Sequence, residues 1–94
     1  MSPMPRPPWS ETPILDWDDV NLEHIAQHAV AQTEVDEIFE LSAYEVRPHK
    51  KRRKEAKYQR RYLVTGQTMG GRNLVIVIDK IDDGHIRPVT AFGR

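Results

Sequence analysis

Twelve residues, Lys50 to Arg61, hold eight cations against one acid, Glu55, and they surround a tyrosine, Tyr58. Side chains of this type at this density suit a polyanion, because each ammonium or guanidinium neutralises a fixed negative charge. The run consists of Lys50, Lys51, Arg52, Arg53, Lys54, Lys57, Arg60 and Arg61, with His49 at its mouth. Further cations, Arg72 and Arg87, fall on or beside two later candidate strands, so that the sheet face would display Arg60 or Arg61 together with both. A guanidinium stays charged and forks onto phosphate oxygens, which makes such a face suited to phosphate. Two competing readings apply. The run is a solvated loop that serves solubility, or the arginines pair with Asp79 or Glu45 across the sheet. His24 and His28, four apart on a predicted helix, have a spacing that can hold a metal, but no third ligand is suggested nearby. Neither a metal nor another cofactor is expected.

These cations belong to a chain whose formal net charge of zero conceals a separation of sign. Residues 1–45 carry ten acids and one base, Arg6, whereas residues 46–94 carry thirteen bases and four acids. An acidic surface is therefore expected beside the basic one, able to meet a different partner. Ninety-four residues make one domain with room for a core but not for a deep enclosed site. The absence of cysteine excludes disulfides, thiolate zinc sites and cysteine nucleophiles. The longest apolar run, Leu74 to Ile78, is too short to span a bilayer, and residues 1–13 lack the apolar core of a signal peptide. A soluble cytoplasmic protein is the default expectation, with no membrane partner.

The positioning elements can be read in order. Pro3, Pro5, Pro7, Pro8 and Pro13 remove amide donors, so residues 1–13 are expected to be an extended, largely disordered tail. The alternative is a docking peptide for an aromatic groove. Ile14 to Trp17 alternates as a short strand, and Asp18 is placed to cap a helix running to about Gln27. A second helix is expected with Thr33 as its cap and Val35, Ile38, Phe39 and Leu41 as its buried stripe. Ala43 to Val46, Tyr58 to Thr65, Asn73 to Asp79 and Ile86 to Ala91 read as strands, with Asp82-Asp83-Gly84 as a hairpin turn. The run from Asn73 to Asp79 is apolar on both faces and therefore central. The expected fold is α+β, with residues 14–94 forming one domain. Two N-terminal helices pack on one face of a mainly antiparallel sheet of three or four strands.

Several of these segments resemble, in order, the BrnT family of toxins. Trp17-Asp18-Asp19-Val20-Asn21 through His28-Ala29-Val30 is similar to that family's opening, with its Trp-Asp pair, an asparagine, and a histidine before a small residue and a valine. Glu34 to Phe39 resembles its second helix. Arg61 to Gly66, Gly71 to Val77 and Ile86 to Ala91 resemble its strands. The likeness covers about residues 14–91. Two features depart from it: Phe92 stands where many relatives carry an arginine, and relatives continue into a charged helix where this chain has Arg94 as its last residue.

The resemblance implies a RelE-like fold, a metal-independent endoribonuclease that stops growth by cutting RNA, and a cognate BrnA-like antitoxin that neutralises it in a heteromeric complex. Such cleavage needs activation of the 2′-hydroxyl, charge stabilisation on the phosphate and a proton for the leaving oxygen. Arg61, Arg72 and Arg87 are the candidates for the second task, and His49 for moving the proton. Tyr62 is a candidate base-stacking platform, or core; Trp17 is a packing anchor, or a second stacking ring. The departures at Phe92 and the C-terminus support the alternative of a non-catalytic RNA- or protein-binding module on the same fold. A DNA-binding regulator is disfavoured, since no recognition helix carries the cations.

Overall fold

The structure is a computed structural model that describes residues 3–51 and 54–94, and of Lys57 the backbone alone. In chain order it contains β1 (Ile14–Leu15), α1 (Asp19–Ala26), α2 (Gln32–Leu41), β2 (Glu45–Pro48), a 3-10 turn (Ala56–Tyr58), β3 (Arg61–Gln67), β4 (Asn73–Asp82) and β5 (His85–Gly93). The strands form one mixed sheet in the order β1-β5-β4-β3-β2. This is an α+β fold with five strands rather than the expected three or four. The additional partner is β1, which pairs parallel with β5, Ile14 opposite His85 and Leu15 opposite Ile86.

The central position of β4 follows from its side chains. Leu74, Ile76 and Ile78 are fully buried on one face, each stabilising the fold by about 2 kcal/mol on area grounds. They meet Val46, Tyr62, Val64, Ile86 and Ala91 from neighbouring strands and Ile25, Val35, Ile38 and Phe39 from the helices. Both helices thus bury their apolar stripes against one sheet face. Gly66 on β3 permits the closest approach, since a Cβ there would meet the buried Ile38 Cγ2 at 2.7 Å. The opposite face carries Arg61, Leu63 and Thr65 from β3 and Val75, Val77 and Asp79 from β4, all half-buried.

Local signals set the helix starts differently. Asp18 caps α1 as expected, accepting from the amides of Val20 and Asn21 at 2.9 and 3.1 Å. Helix α2 begins earlier than expected: Ala31 is its N-cap, and Thr33 lies inside the first turn. Glu34 accepts from the Ala31 amide at 3.0 Å, the half of a capping box that needs no side-chain acceptor on the cap residue.

The first thirteen residues are not a free tail where the structure describes them. Trp9 is 6% exposed and belongs to the core. Its indole N–H donates to the Tyr44 hydroxyl at 3.0 Å, and its ring meets Tyr62 edge-on at 5.7 Å. The Met4 amide donates to the Val46 carbonyl on the outer edge of β2, and the Ser10 amide to the Asp83 carbonyl in the hairpin. Proline forbids a regular ladder but not an extended segment anchored by one aromatic side chain. The described part of this segment also shields the β2 edge, where Pro48 contributes no amide donor.

Asn21 connects the remaining pieces. It is 1% exposed, donates through Nδ2 to the carbonyls of Asp16 and Pro88 at 2.7 and 3.0 Å, and accepts from the Asp18 amide at 2.8 Å. Pro88 lies beside a register shift between β4 and β5, where Val89 is the extra residue. The side chains of Asn21 and His24 bond the carbonyls of Pro88 and Val89, continuing the edge that β1 leaves after Leu15.

Two substitutions test this account. Trp9→Ala should lower unfolding free energy by about 3–5 kcal/mol, measured by denaturant titration, a loss that a solvated tail would not give. Asn21→Ala should cost about 2–3 kcal/mol, because it leaves the buried Pro88 carbonyl and the half-buried Asp16 carbonyl without their donor. Hydrogen exchange should then rise first in α1 and at residues 88–91.

Candidate nucleic-acid interface

The cations of the basic run are carried by the connection between β2 and β3, and three of its residues meet at its two ends. His49 follows β2 directly, and its amide continues the ladder by donating to the Arg61 carbonyl at 3.0 Å. The 3-10 turn brings Tyr58 back over the imidazole, with ring centres 4.7 Å apart and planes 10° from parallel. The Arg61 guanidinium carbon lies 5.2 Å from the Tyr58 ring centre and the Lys51 ammonium 5.9 Å from it. Imidazole, phenol and two cations therefore form one cluster at the end of the open sheet face.

His49 has a defined protonation pattern. Its Nδ1 accepts from the Lys51 amide at 3.1 Å, so the neutral ring carries its proton on Nε2. Burial lowers its pKa from the ordinary 6.5, and the charges of Arg61, Lys51 and Lys50 lower it further. Because the folded value is depressed, the stability contributed by the neutral ring is complete above pH 6.5 and is lost as pH falls through the folded value. At neutral pH His49 presents a donor, Nε2–H, rather than a vacant base.

Next to this cluster a row of alternating charge crosses the sheet. Asp79 on β4 faces Arg61 on β3 and Arg87 on β5 in register. Arg61 grips Asp79 through Nε and Nη2 at 2.8 and 2.9 Å. Arg87 turns instead to Asp18 at the start of α1, with 2.6 Å between Nη1 and Oδ2. Hydrogen bonding to Arg87, and then to the Asn21 amide, draws the Asp18 carboxyl down to about 2. A half-open recess of about 480 Å³ adjoins the row, lined by Arg60, Asp79, Lys80 and Arg87 among others.

The expected site residues therefore divide. His49, Arg61 and Arg87 lie at this end of the sheet, together with the exposed Lys50, Lys51, Lys54 and Arg60. Arg52, Arg53 and the side chain of Lys57 lie outside the described residues. Arg72 does not join them. It precedes β4 at the opposite end, where Nη1 donates to the Ala29 carbonyl at 2.7 Å and to both Glu34 oxygens at 3.0 and 3.2 Å. Ala29 has a positive φ of 57°, uncommon for a residue with a Cβ, and Arg72 ties that turn to the sheet. Of the two readings of Tyr62 the structure shows the second: at 6% exposure, packed on Trp9, it is core and offers no face to a base. Its alternation with Val64 marks it for the buried face, whereas Tyr58, inside the basic run, is the ring that the site contains.

The two helix histidines are occupied separately. His24 Nδ1 is 3.2 Å from the Val89 carbonyl, and the His28 ring centre lies 6.0 Å from that of Phe92. Among the described residues no three His, Asp or Glu side chains group around a metal-sized space. None of their helices is long and apolar enough to cross a membrane. No family model, curated protein or solved structure matches the chain.

The charge row has a measurable signature. The Asp18 carboxyl should titrate at about 2, and Arg87→Gln should return it toward 3.8, followed by carboxyl carbon shifts. The folded value is depressed, so the Asp18–Arg87 contribution to stability is complete above pH 3.8 and fades toward pH 2. The stability difference between wild type and Arg87→Gln should shrink over that window.

Proposed function

We propose that this chain is the toxin of a type II toxin–antitoxin pair, a metal-independent endoribonuclease of BrnT type with a RelE-like fold. In this reading it acts on RNA in the cytoplasm and is silenced by a cognate BrnA-like antitoxin that covers part of its cationic face. The observation that carries the reading is the convergence of His49, Tyr58, Arg61 and Lys51 at the end of an open sheet face. Aromatic rings among cations suit single-stranded RNA, because bases stack on rings while phosphates meet the charges.

In a cleavage reaction at this place, Arg61 and Arg87 flank the scissile phosphate and the neutral His49 ring gives a phosphate oxygen an Nε2–H hydrogen bond; only its imidazolium form, protonated on both nitrogens, has a proton to pass to the leaving oxygen. Asp79 must yield Arg61 to the phosphate, an exchange of one anion for another at the same fork. The second reading, a non-catalytic RNA- or protein-binding module, is favoured by one specific observation. Arg61, Arg72 and Arg87 all direct their guanidinium groups to carboxylates of the same chain.

Binding and cleavage of a labelled single-stranded RNA separate these readings. Affinity should fall with salt at a log–log slope of about −0.7 per phosphate contact. Tyr58→Ala should weaken binding by about 1–3 kcal/mol, and Asp79→Asn should strengthen it by freeing Arg61. Cleavage that persists in chelator, drops about a hundredfold in Arg61→Ala and is unchanged in Arg72→Ala supports the ribonuclease. Binding without cleavage supports the module, and affinity indifferent to salt removes the phosphate contacts on which both RNA readings rest.

A further inference from the structure

A second recess, of about 380 Å³, opens on the acidic side of the molecule, between the strand that precedes α1 and the outer surface of α2. Leu15, Trp17 and Phe39 supply its apolar wall, and Asp36 and Glu40, one helical turn apart, supply its charge. The Trp17 ring is held in place: its Nε1–H donates to Asp36 Oδ1 at 3.1 Å. The carboxylates here differ from their neighbours. Asp18, Glu34 and Asp79 each hold an arginine of this chain, whereas no described cation pairs with Asp36 or Glu40. Two large apolar side chains, Ile14 at 59% and Leu41 at 45% exposure, stand next in sequence to residues that line the recess.

We propose that this recess is a docking site for an arginine side chain carried, between apolar residues, on a segment of a partner protein. An arginine fits both of its features. The guanidinium bonds carboxylates in a fork and stacks on an indole face, and its methylene stem covers apolar wall. The apolar wall of Leu15, Trp17 and Phe39 gives the arginine stem and its neighbours something to cover, which a free inorganic cation would not use. Charge complementarity fixes the sign of the partner, since α2 carries Glu34, Asp36, Glu37 and Glu40 and no base. This site is remote in sequence from the basic run and does not depend on the RNA reading.

The test uses the full chain, 15N-labelled, and the pentapeptide acetyl-Leu-Ala-Arg-Ala-Leu-amide beside its citrulline analogue, which keeps the shape and loses the charge. The arginine peptide should produce saturable shifts at the Trp17 Nε1–H and at the amides of Leu15, Asp36 and Glu40. Asp36→Asn preserves an acceptor for Trp17 and Glu40→Gln preserves length, so both should fold, and each should weaken the peptide about tenfold or more. A single-stranded RNA added in excess should leave these shifts in place. The proposal is overturned by citrulline binding as well as arginine, by affinity unchanged in both variants, or by shifts confined to Lys50–Arg61. It is equally overturned if diluting the peptide-free protein moves the same resonances, which identifies a second copy of the chain as the occupant.

Discussion

The structure depends on one buried amide. Asn21 holds the exit of β1, the cap of α1 and the bulge of β5 through three hydrogen bonds, at a point where no backbone ladder can do so. Pro88 has no amide to offer, and β1 is only two residues long. A helix would otherwise pack on the sheet by apolar contact alone, which is tolerant of sliding. Three directional bonds, one of them fully buried, remove that freedom, because a slide leaves the buried Pro88 carbonyl unpaired. The consequence reaches the surface. Fixing the Asp18 amide fixes the carboxylate beside it, and that carboxylate takes Arg87 away from Asp79.

The charge row then sets what the sheet end can do. Arg61 and Arg87 both face Asp79 in register, yet Asp79 makes its close pair with Arg61 while Asp18 takes Arg87. Each guanidinium is oriented by a carboxylate, and each is thereby prevented from being an open anion site. The same fork that orients an arginine for phosphate also competes with phosphate. The cations of the preceding connection have no such carboxylate among the described pairs: Arg60 donates only to the Ile81 carbonyl, at 3.3 Å, and Lys51 lies on the Tyr58 ring. Under the proposed function, encounter with RNA falls to the connection and commitment to the exchange at Asp79.

What was legible in the sequence is what short-range chemistry decides. Asp18 as a cap, the Asp82–Gly84 turn and the central place of β4 each follow from residues within a few positions of one another. The elements missed or misplaced rest on partners far along the chain. Trp9 finds Tyr44 across 35 residues, and Arg72 finds Glu34 across 38. Proline density correctly excludes regular structure before residue 14 but is silent on whether one aromatic side chain anchors the segment. Among the candidate site residues, spacing placed Arg61 and Arg87 together because strands carry register. It failed for Arg72, because a residue in a turn has no register. For Tyr62, the phase it shares with Val64 favours core over a base-stacking face, a signal weaker in the sequence than the basic run beside it.

The separation of charge along the chain acquires a structural meaning from these pairs. Asp18–Arg87 and Glu34–Arg72 each join an acid of the first half to a base of the second, so the two helices are clamped to the sheet electrostatically at opposite ends. Both pairs are partly exposed, so solvent screening leaves each only a small part in stability. Their effect is on orientation more than on stability, because apolar contact under the helices does not by itself choose a direction. What remains after this pairing is a cationic connection at the end of the open sheet face and an acidic surface on α2. A sequence whose charges served only solubility would have no reason to pair them across its halves and leave the remainder sorted by sign on separate surfaces. The sorting leaves one small domain with a cationic surface and an acidic one at separate places.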